Sequence, residues 1–466
     1  MSSPLSALPT PLFVNARTGH AAPALSPASL PHIIEDLPGA RERLDNTKVL
    51  ATDWMVTDPT DLTQTGWGVL FASDADPAIR TQLDPLLKLR QRQVGQDSAL
   101  FRIFDGANGV LPGQTAEEWA LQHSVSLTAA VDPSQGVPYY LLIVGSPERI
   151  PFEFQLLLKM QWAVGRLSFD DIEDYGRYAR AIAEYDSDDF QPQQAKNAAV
   201  WVTRNRGNLA AAMLSGAISQ GFINASPPLG SSRFALDAFP DAKATKQQLI
   251  EILRGNIPGG PPAILFTGSH GVSYPLDDPD QQRLQGALIT QEWTEGSSVS
   301  DANLFSAQDI PADAKLHGTV AFLFACFGGG CPDFDSYHFN DDGTSIQIAR
   351  KPLISALGQA LLAHGALAVI AHIDTAFADC FLDVNGVPQT NVLRAPLEYL
   401  MQGRRVGAAA DSLTITWGSL SSRVALTAGK ETSPAKLANL VIARDDARNF
   451  IVLGDPAARL RLKDLR

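Results

Sequence analysis

Two stretches of the chain carry side chains fit for covalent chemistry. Val320-Ala-Phe-Leu-Phe-Ala-Cys326-Phe-Gly-Gly-Gly330 is an apolar run that reaches a cysteine and passes at once into three glycines. Ala263-Ile-Leu-Phe-Thr-Gly-Ser-His270-Gly271 is a second apolar run, closing on a histidine between a serine and a glycine. Each reads as a buried strand with a reactive side chain at its carboxyl end. The glycines after Cys326 let the backbone approach a ligand closely. In open α/β sheets, ligands sit outside the carboxyl ends of the strands. A thiol at one such end and an imidazole at another are what a cysteine nucleophile and its base require. Taken singly, Cys326 reads as a small buried hydrophobe and His270 as a structural residue. Their pairing is what points to catalysis.

The spacing sharpens this. His270 precedes Cys326 by 56 residues, the order and about the spacing of caspases. Phe324-Ala325-Cys326-Phe327-Gly328 carries the Ala-Cys-x-Gly core of their signature and lacks its Gln and its Arg/Gln/Gly position. Thr267-Gly-Ser-His-Gly271, Ala366-Leu-Ala-Val-Ile-Ala-His-Ile-Asp374 and Val452-Leu-Gly-Asp-Pro456 add to the match. The chain resembles the caspase-like cysteine peptidases, including their gingipain-like and CHAT-type bacterial members, over residues 197–460, with a weaker echo over 64–185. The resemblance implies an α/β, caspase-like (caspase-hemoglobinase) fold: a mostly parallel sheet flanked by helices, in two tandem subdomains. It implies a cysteine endopeptidase acting on protein or peptide substrates through a His270–Cys326 dyad, with no cofactor and no metal. The backbone N–H groups of Gly271 and Cys326 would form the oxyanion hole. Asp374 would wall the pocket for the residue before the scissile bond, where a carboxylate favours Arg or Lys. No Arg or Lys lies between Pro261 and Arg283 or between Leu316 and Arg350. A cation for an acidic substrate would have to come from elsewhere, such as Arg394, Arg404 or Arg405. No third residue orienting His270 is evident.

Other chemistries fit less well. Cys326, Cys331 and His338 share an uncommon Cys-x4-Cys-x6-His spacing with no evident fourth ligand, against a zinc site. Cys331 is expected in a mobile loop, within reach of a reversible disulfide with Cys326. Asp277, Asp278 and Asp280 form an acidic loop, read as solvated before calcium-binding. No phosphate-binding glycine motif occurs. An α/β-hydrolase-like esterase would want a glycine two residues before its nucleophile, where Phe324 stands. A catalytically inactive, caspase-like binding module is the remaining rival, disfavoured by the presence of both dyad residues.

The elements that must hold these residues follow from composition and pattern. The chain has 466 residues, 45% hydrophobic and 19% charged, with a net charge of −13. That is globular, and too acidic for a nucleic-acid face. Its three cysteines suit a reducing, cytoplasmic setting, and no signal peptide is recognisable. Leu353–Ile373 is nearly uncharged, but is expected to split into a buried helix and a buried strand. Residues 1–62 are read as an extended arm over the domain, or a prosegment. Residues 63–186 form a first, non-catalytic subdomain, 187–196 a polar linker and 197–466 the catalytic subdomain. Leu142-Ile-Val-Gly-Ser-Pro147 parallels Leu265-Phe-Thr-Gly-Ser-His270, hinting at duplication, with proline where the second copy has histidine. Helices are expected at Pro77–Val94, with Pro85 either kinking it or delaying its start, after a Ser168 cap, and from Pro352. Phe327–Arg350 is expected to be a mobile loop.

Overall fold

The computed structural model describes residues 10–35, 58–96, 98–230, 233–377, 388–427 and 433–466. The remainder of the expected arm, including Val49-Leu50, lies outside them, as does Cys380.

Alternating apolar runs and amphipathic helices produce one ten-stranded, largely parallel sheet. Its strands are β2 (Trp67–Phe71), β3 (Phe101–Phe104), β4 (Tyr140–Val144), β5 (Ala163–Leu167), β6 (Ala195–Val202), β7 (Ala235–Pro240), β8 (Pro262–Gly268), β12 (Val320–Phe324), β17 (Ala368–His372) and β18 (Phe450–Gly454). The order across the sheet is β3-β2-β4-β5-β18-β17-β12-β8-β6-β7. Only the β17–β18 pair is antiparallel. The sheet is therefore two parallel blocks running in opposite senses, joined at their fifth strands. Numbered within each block, the order is 2-1-3-4-5 in both. In this arrangement β4 corresponds to β8 and β5 to β12; counted from the last paired positions, Ser146 stands where His270 does and Phe169 where Cys326 does. Because the blocks oppose each other, the carboxyl ends of β2–β5 lie at the far edge from those of β6, β8, β12 and β17. The carboxyl ends of the first block therefore do not reach the site, but the amino end of β18 does: Asn449, just before it, has its Nδ2 3.5 Å from Asp374 Oδ2.

The central strands β4, β8, β12 and β17 are buried along their whole length. That is why they read as unbroken apolar runs and not as alternations. A small second sheet lies beyond the site end, in the order β1 (Phe13–Asn15), β9 (Gly271–Ser273), β10 (Leu288–Ile289), β11 (Leu304–Phe305).

Several local expectations are corrected. Asp171, not Ser168, caps the helix Ile172–Tyr185, its carboxylate accepting the Glu173 N–H. The single helix expected over Pro77–Val94 is two, Pro77–Gln82 and Asp84–Val94; of the two outcomes expected for Pro85, it stands in the first turn of the second helix and does not kink one continuous helix. Leu353 and Ile354 form β16, paired with β13 (Gly330–Cys331), so the helix Ala356–Ala363 starts after Ser355. Phe327–Arg350 is not structureless. It holds β13 and a hairpin of β14 (Phe334–Phe339) and β15 (Ser345–Gln347). Its residues alternate too irregularly to show this by period, the pairing being broken by a register shift. No described helix is long and apolar enough to cross a membrane. Leu353–Ile373 divides into β16, a helix and β17.

Candidate active site

Four neighbouring strand ends carry the site. β6, β8, β12 and β17 lie side by side and parallel, and beyond their carboxyl ends stand Asn208, His270, Cys326 and Asp374. In a 2-1-3-4-5 block the order reverses between the first and third strands, here β6 and β8, the place where such sheets bind ligands.

β8 and β12 are aligned with Gly268 opposite Phe324, so His270 and Cys326 stand the same two residues beyond a paired position. The Ser269 N–H donates to the Phe324 carbonyl at 3.2 Å, holding the two exits together. Gly271 approaches so closely that a β-carbon there would lie 1.9 Å from the Cys326 carbonyl oxygen. Only glycine fits. The chain turns sharply after the cysteine, with Phe327 in the left-handed region at φ 58°, a costly conformation for a bulky residue. The glycines that follow do not border an open ligand space as expected. The Phe327 N–H donates to the Asp374 carbonyl at 3.0 Å, and the Gly329 N–H to the His372 carbonyl at 2.8 Å. A β-carbon on Gly330 would meet the Leu353 carbonyl oxygen at 2.5 Å. These glycines serve close packing against β16 and β17.

His270 is fully buried. Its Nε2 lies 2.8 Å from Asn208 Oδ1, an oxygen with no proton to give. Nε2 therefore carries the proton and donates, and Nδ1 is left with the lone pair. Nδ1 has no hydrogen-bond partner among the described atoms. Asn208 is itself fixed. It caps the helix Leu209–Ile218 by accepting the Ala211 N–H at 2.8 Å, and its Nδ2 donates to Glu295 Oε2 at 2.8 Å. The Trp293 ring meets His270 edge to face at 5.9 Å. Burial pushes the imidazole down to about 4, against weaker opposing pulls from the Leu12 backbone and Glu295.

The Cys326 thiol is likewise sealed. The Ala376 N–H donates to Sγ at 3.1 Å, and the Ala376 carbonyl lies 3.4 Å from it. Burial raises the thiol well above its ordinary value; N–H groups of Ala376 and Leu12 pull the other way. The resting pair is neutral thiol and neutral imidazole.

Asp374 is buried, 4% exposed. Ser336 Oγ donates to Oδ2 at 2.7 Å and the Thr375 N–H to Oδ1 at 2.7 Å. Among the described residues no cation lies within ion-pair distance of it. Burial, with Asp335 nearby, pushes it up to about 7. Arg394 is held by Glu398 and the Gly221 carbonyl, Arg405 by the Thr60 and Ala457 carbonyls, and Arg404 lies over the Tyr399 ring. None of the three turns into the site.

Other candidates fall outside it. Cys331 sits in β13, not in a loop; its buried thiol meets Gln285 Nε2 at 3.5 Å. His338 pairs with Asp335 at 2.9 Å. Among the described residues no group of three or more His, Cys, Asp or Glu is arranged to hold a metal ion. The acidic loop is neutralised, Asp277 by Arg350 at 2.5 Å, Asp278 by Arg17 at 2.5 Å and Asp280 by Arg283 at 2.8 Å. Asn208 is the site residue that spacing alone did not reveal. The sequence shows it as a polar residue before Leu209-Ala-Ala-Ala, a helix cap; its second bond, to a histidine 62 positions on, leaves no local trace.

No family model matches the chain, and no curated protein sequence does. Among solved structures it is similar to one described as that of a protease, at 12% identity and a TM-score of 0.48, covering 85% of this chain and 78% of that one. It is also similar to a complex of the pro- and mature domains of Porphyromonas gingivalis RgpB, at 11% identity and a TM-score of 0.43, covering 85% and 80%. A third is the Saccharomyces cerevisiae separase–securin complex, at 9% identity and a TM-score of 0.32, covering 72% of this chain and 17% of that one. Overlaps this low add no weight to the geometry, on which the functional conclusion rests.

Proposed function

We propose that the chain is a caspase-like cysteine endopeptidase of the gingipain and CHAT-type group, with Cys326 as nucleophile and His270 as base. The observation that carries this is the placement of the two at adjacent parallel strand ends, with one nitrogen of the histidine held by Asn208 and the other unpartnered. Nδ1 takes the thiol proton and the thiolate attacks the peptide carbonyl. The oxyanion forms against the N–H groups of Gly271 and Cys326. His270 returns the proton to the leaving amine, then activates the water that releases the acyl group. No cofactor is called for.

Asp374 would meet the residue before the scissile bond. A buried carboxyl without a cation gains most from a substrate that brings one, hence a preference for Arg or Lys. The proposed division takes residues 197–466 as the catalytic subdomain and 63–186 as a non-catalytic copy; the matched strand order supports a duplicated unit, with β18 returning to complete the first block. The proposed compartment is the cytoplasm.

The test is hydrolysis of fluorogenic peptides bearing Arg, Lys, Asp or Leu before the reporter, with Cys326→Ala alongside. Turnover of the Arg and Lys peptides that disappears in Cys326→Ala is expected. No turnover of any peptide, with the thiol shown to be accessible, would leave the inactive binding module.

A further inference from the structure

The segment Pro11–Asn15 crosses directly over the two candidate catalytic residues as an extended strand. On one side Pro11 bridges antiparallel to Phe377, and the Leu12 N–H donates to the Ala376 carbonyl at 2.8 Å. On the other side β1 runs parallel to β9, with Phe13 opposite Gly271. Between the two, the Leu12 carbonyl accepts the Gly271 N–H at 3.0 Å. Leu12 is fully buried, its backbone close enough to bear on the charge of both the thiol and the imidazole.

Each contact is one that an extended peptide substrate would need. A carbonyl lies on an N–H next to the histidine, the amide before it is tied to the strand edge after β17, and the chain leaves along β9. Recognition by strand addition works this way, main-chain bonds supplying affinity and pockets supplying choice. We propose that Ala376–Phe377, Gly271 and β9 form the binding cleft for an extended polypeptide, and that residues 11–15 occupy it as a pseudosubstrate in cis, with Leu12 before the position of the scissile bond. This rests on the peptidase assignment of the same site. Leu12 brings no cation to Asp374, so the occupant lacks the feature that the preferred substrate would have.

The arm is held outside the cleft as well. Arg17 Nε lies 2.5 Å from Asp278 Oδ2, and Arg17 Nη2 lies 3.3 Å from Asp280. The Ala21 N–H donates to Glu295 Oε1 at 2.9 Å. Glu295 is the carboxylate that also holds Asn208. Arm and histidine support are thus anchored on one group, and lifting the arm frees both the thiol and one oxygen of Glu295.

The experiment uses the full chain and two readouts. The first is the rate of Cys326 alkylation by iodoacetamide, followed by peptide mass mapping; the second is peptide hydrolysis. Leu12→Asp places a carboxylate where a buried leucine was, and is expected to speed alkylation about a hundredfold or more. Arg17→Ala removes an exposed latch without touching the core, and is expected to speed it about two- to fivefold. The second variant keeps the test alive if the first does not fold. A synthetic peptide of residues 10–16, added to Leu12→Asp, should slow alkylation again, while a scrambled one should not. Alkylation as slow in a folded Leu12→Asp as in the wild type overturns the proposal. So does equal protection by the scrambled peptide. Faster alkylation with no hydrolysis of any peptide upholds the covering arm and sinks the peptidase assignment, so the two fail separately.

Discussion

Replacing Asp374 with asparagine tests the pocket and its energetics together. The carboxyl, ordinarily near 3.8, is pushed up to about 7 in the folded chain. Below pH 3.8 both folded and unfolded chains hold the proton, and the group is neutral to stability. As pH rises towards 7 the unfolded chain releases the proton and the folded chain keeps it, so stability falls; above about 7 the loss is complete. At about 1.4 kcal/mol per pH unit, the loss between pH 5 and the plateau is about 3 kcal/mol. Asparagine keeps the shape and does not titrate. Any fixed cost of its amide beside the Thr375 N–H is the same at every pH and cancels in the comparison. The stability difference between Asp374→Asn and wild type should therefore move by about 3 kcal/mol in favour of the variant from pH 5 to pH 8. Urea unfolding at four or five pH values measures it. A difference flat to within about 0.5 kcal/mol, well below the step expected from linkage, would show that Asp374 is solvated or already paired. A peptidyl-arginine aldehyde should stabilise wild type at pH 8 and have little effect on Asp374→Asn. Unchanged preference for Arg in the variant would remove Asp374 from the pocket while leaving the dyad untouched.

Cys326→Ala and His270→Ala are each expected to fold and to lose hydrolysis; if Cys331→Ser alone abolished it, the wrong thiol has been named. Cys331→Ser should keep most turnover, since its thiol faces Gln285, and Cys380→Ala, outside the described residues, is expected to do the same. Asn208→Ala should lower kcat about ten- to a hundredfold by releasing the ring, and cost about 1 kcal/mol of stability by uncapping its helix. In Asn208→Asp the cap survives but the imidazole gains a charged acceptor, so the acid limb of the kcat/KM profile should move to higher pH; an unmoved profile would mean that Asn208 is only a cap. Burial of His270, pushed down from 6.5 to about 4, should make wild type lose up to about 3 kcal/mol relative to His270→Gln as pH falls from 6.5 to 4, checked by the same unfolding series.

The parts of this fold that could be read in advance are those governed by burial on both faces. β4, β8, β12 and β17 are apolar runs because they are buried on both faces of the sheet; their β-branched and aromatic residues set them apart from Leu209–Leu214, an apolar run rich in alanine that forms a helix. Placing Cys326 and His270 at strand ends followed from the runs themselves. What escaped depends on contacts between distant residues. Leu353-Ile354 looked like the inner face of a helix because two apolar residues fit either period; pairing with Gly330-Cys331 decided for strand. The reversal of direction at β17–β18 follows from where the chain returns after the helix Pro434–Arg448, and no residue in Phe450–Gly454 announces it. Asn208 was legible as a cap and silent as a histidine partner. Pro11–Asn15 gave no periodicity at all, being a short extended segment that borrows its order from the cleft it crosses.

That last feature bears on why the dyad is neutral. Cys326 and His270 are fully enclosed, and enclosure drives both against ionisation, the thiol upward and the imidazole downward. A working cysteine–histidine pair needs the opposite, a thiolate beside a positive or proton-accepting ring. Part of the enclosure is Leu12, whose backbone borders both groups. Removing it would admit water or substrate, lower the desolvation borne by each group and bring their proton affinities towards one another. The same movement would free Gly271 N–H from the Leu12 carbonyl and present it to a substrate carbonyl. Access, ionisation and the oxyanion donor are thus governed by one strand of five residues. A variant that exposed Cys326 without altering its reactivity towards iodoacetamide across pH 6 to 9 would separate these effects. A parallel rise in exposure and in thiolate fraction would show that they are one.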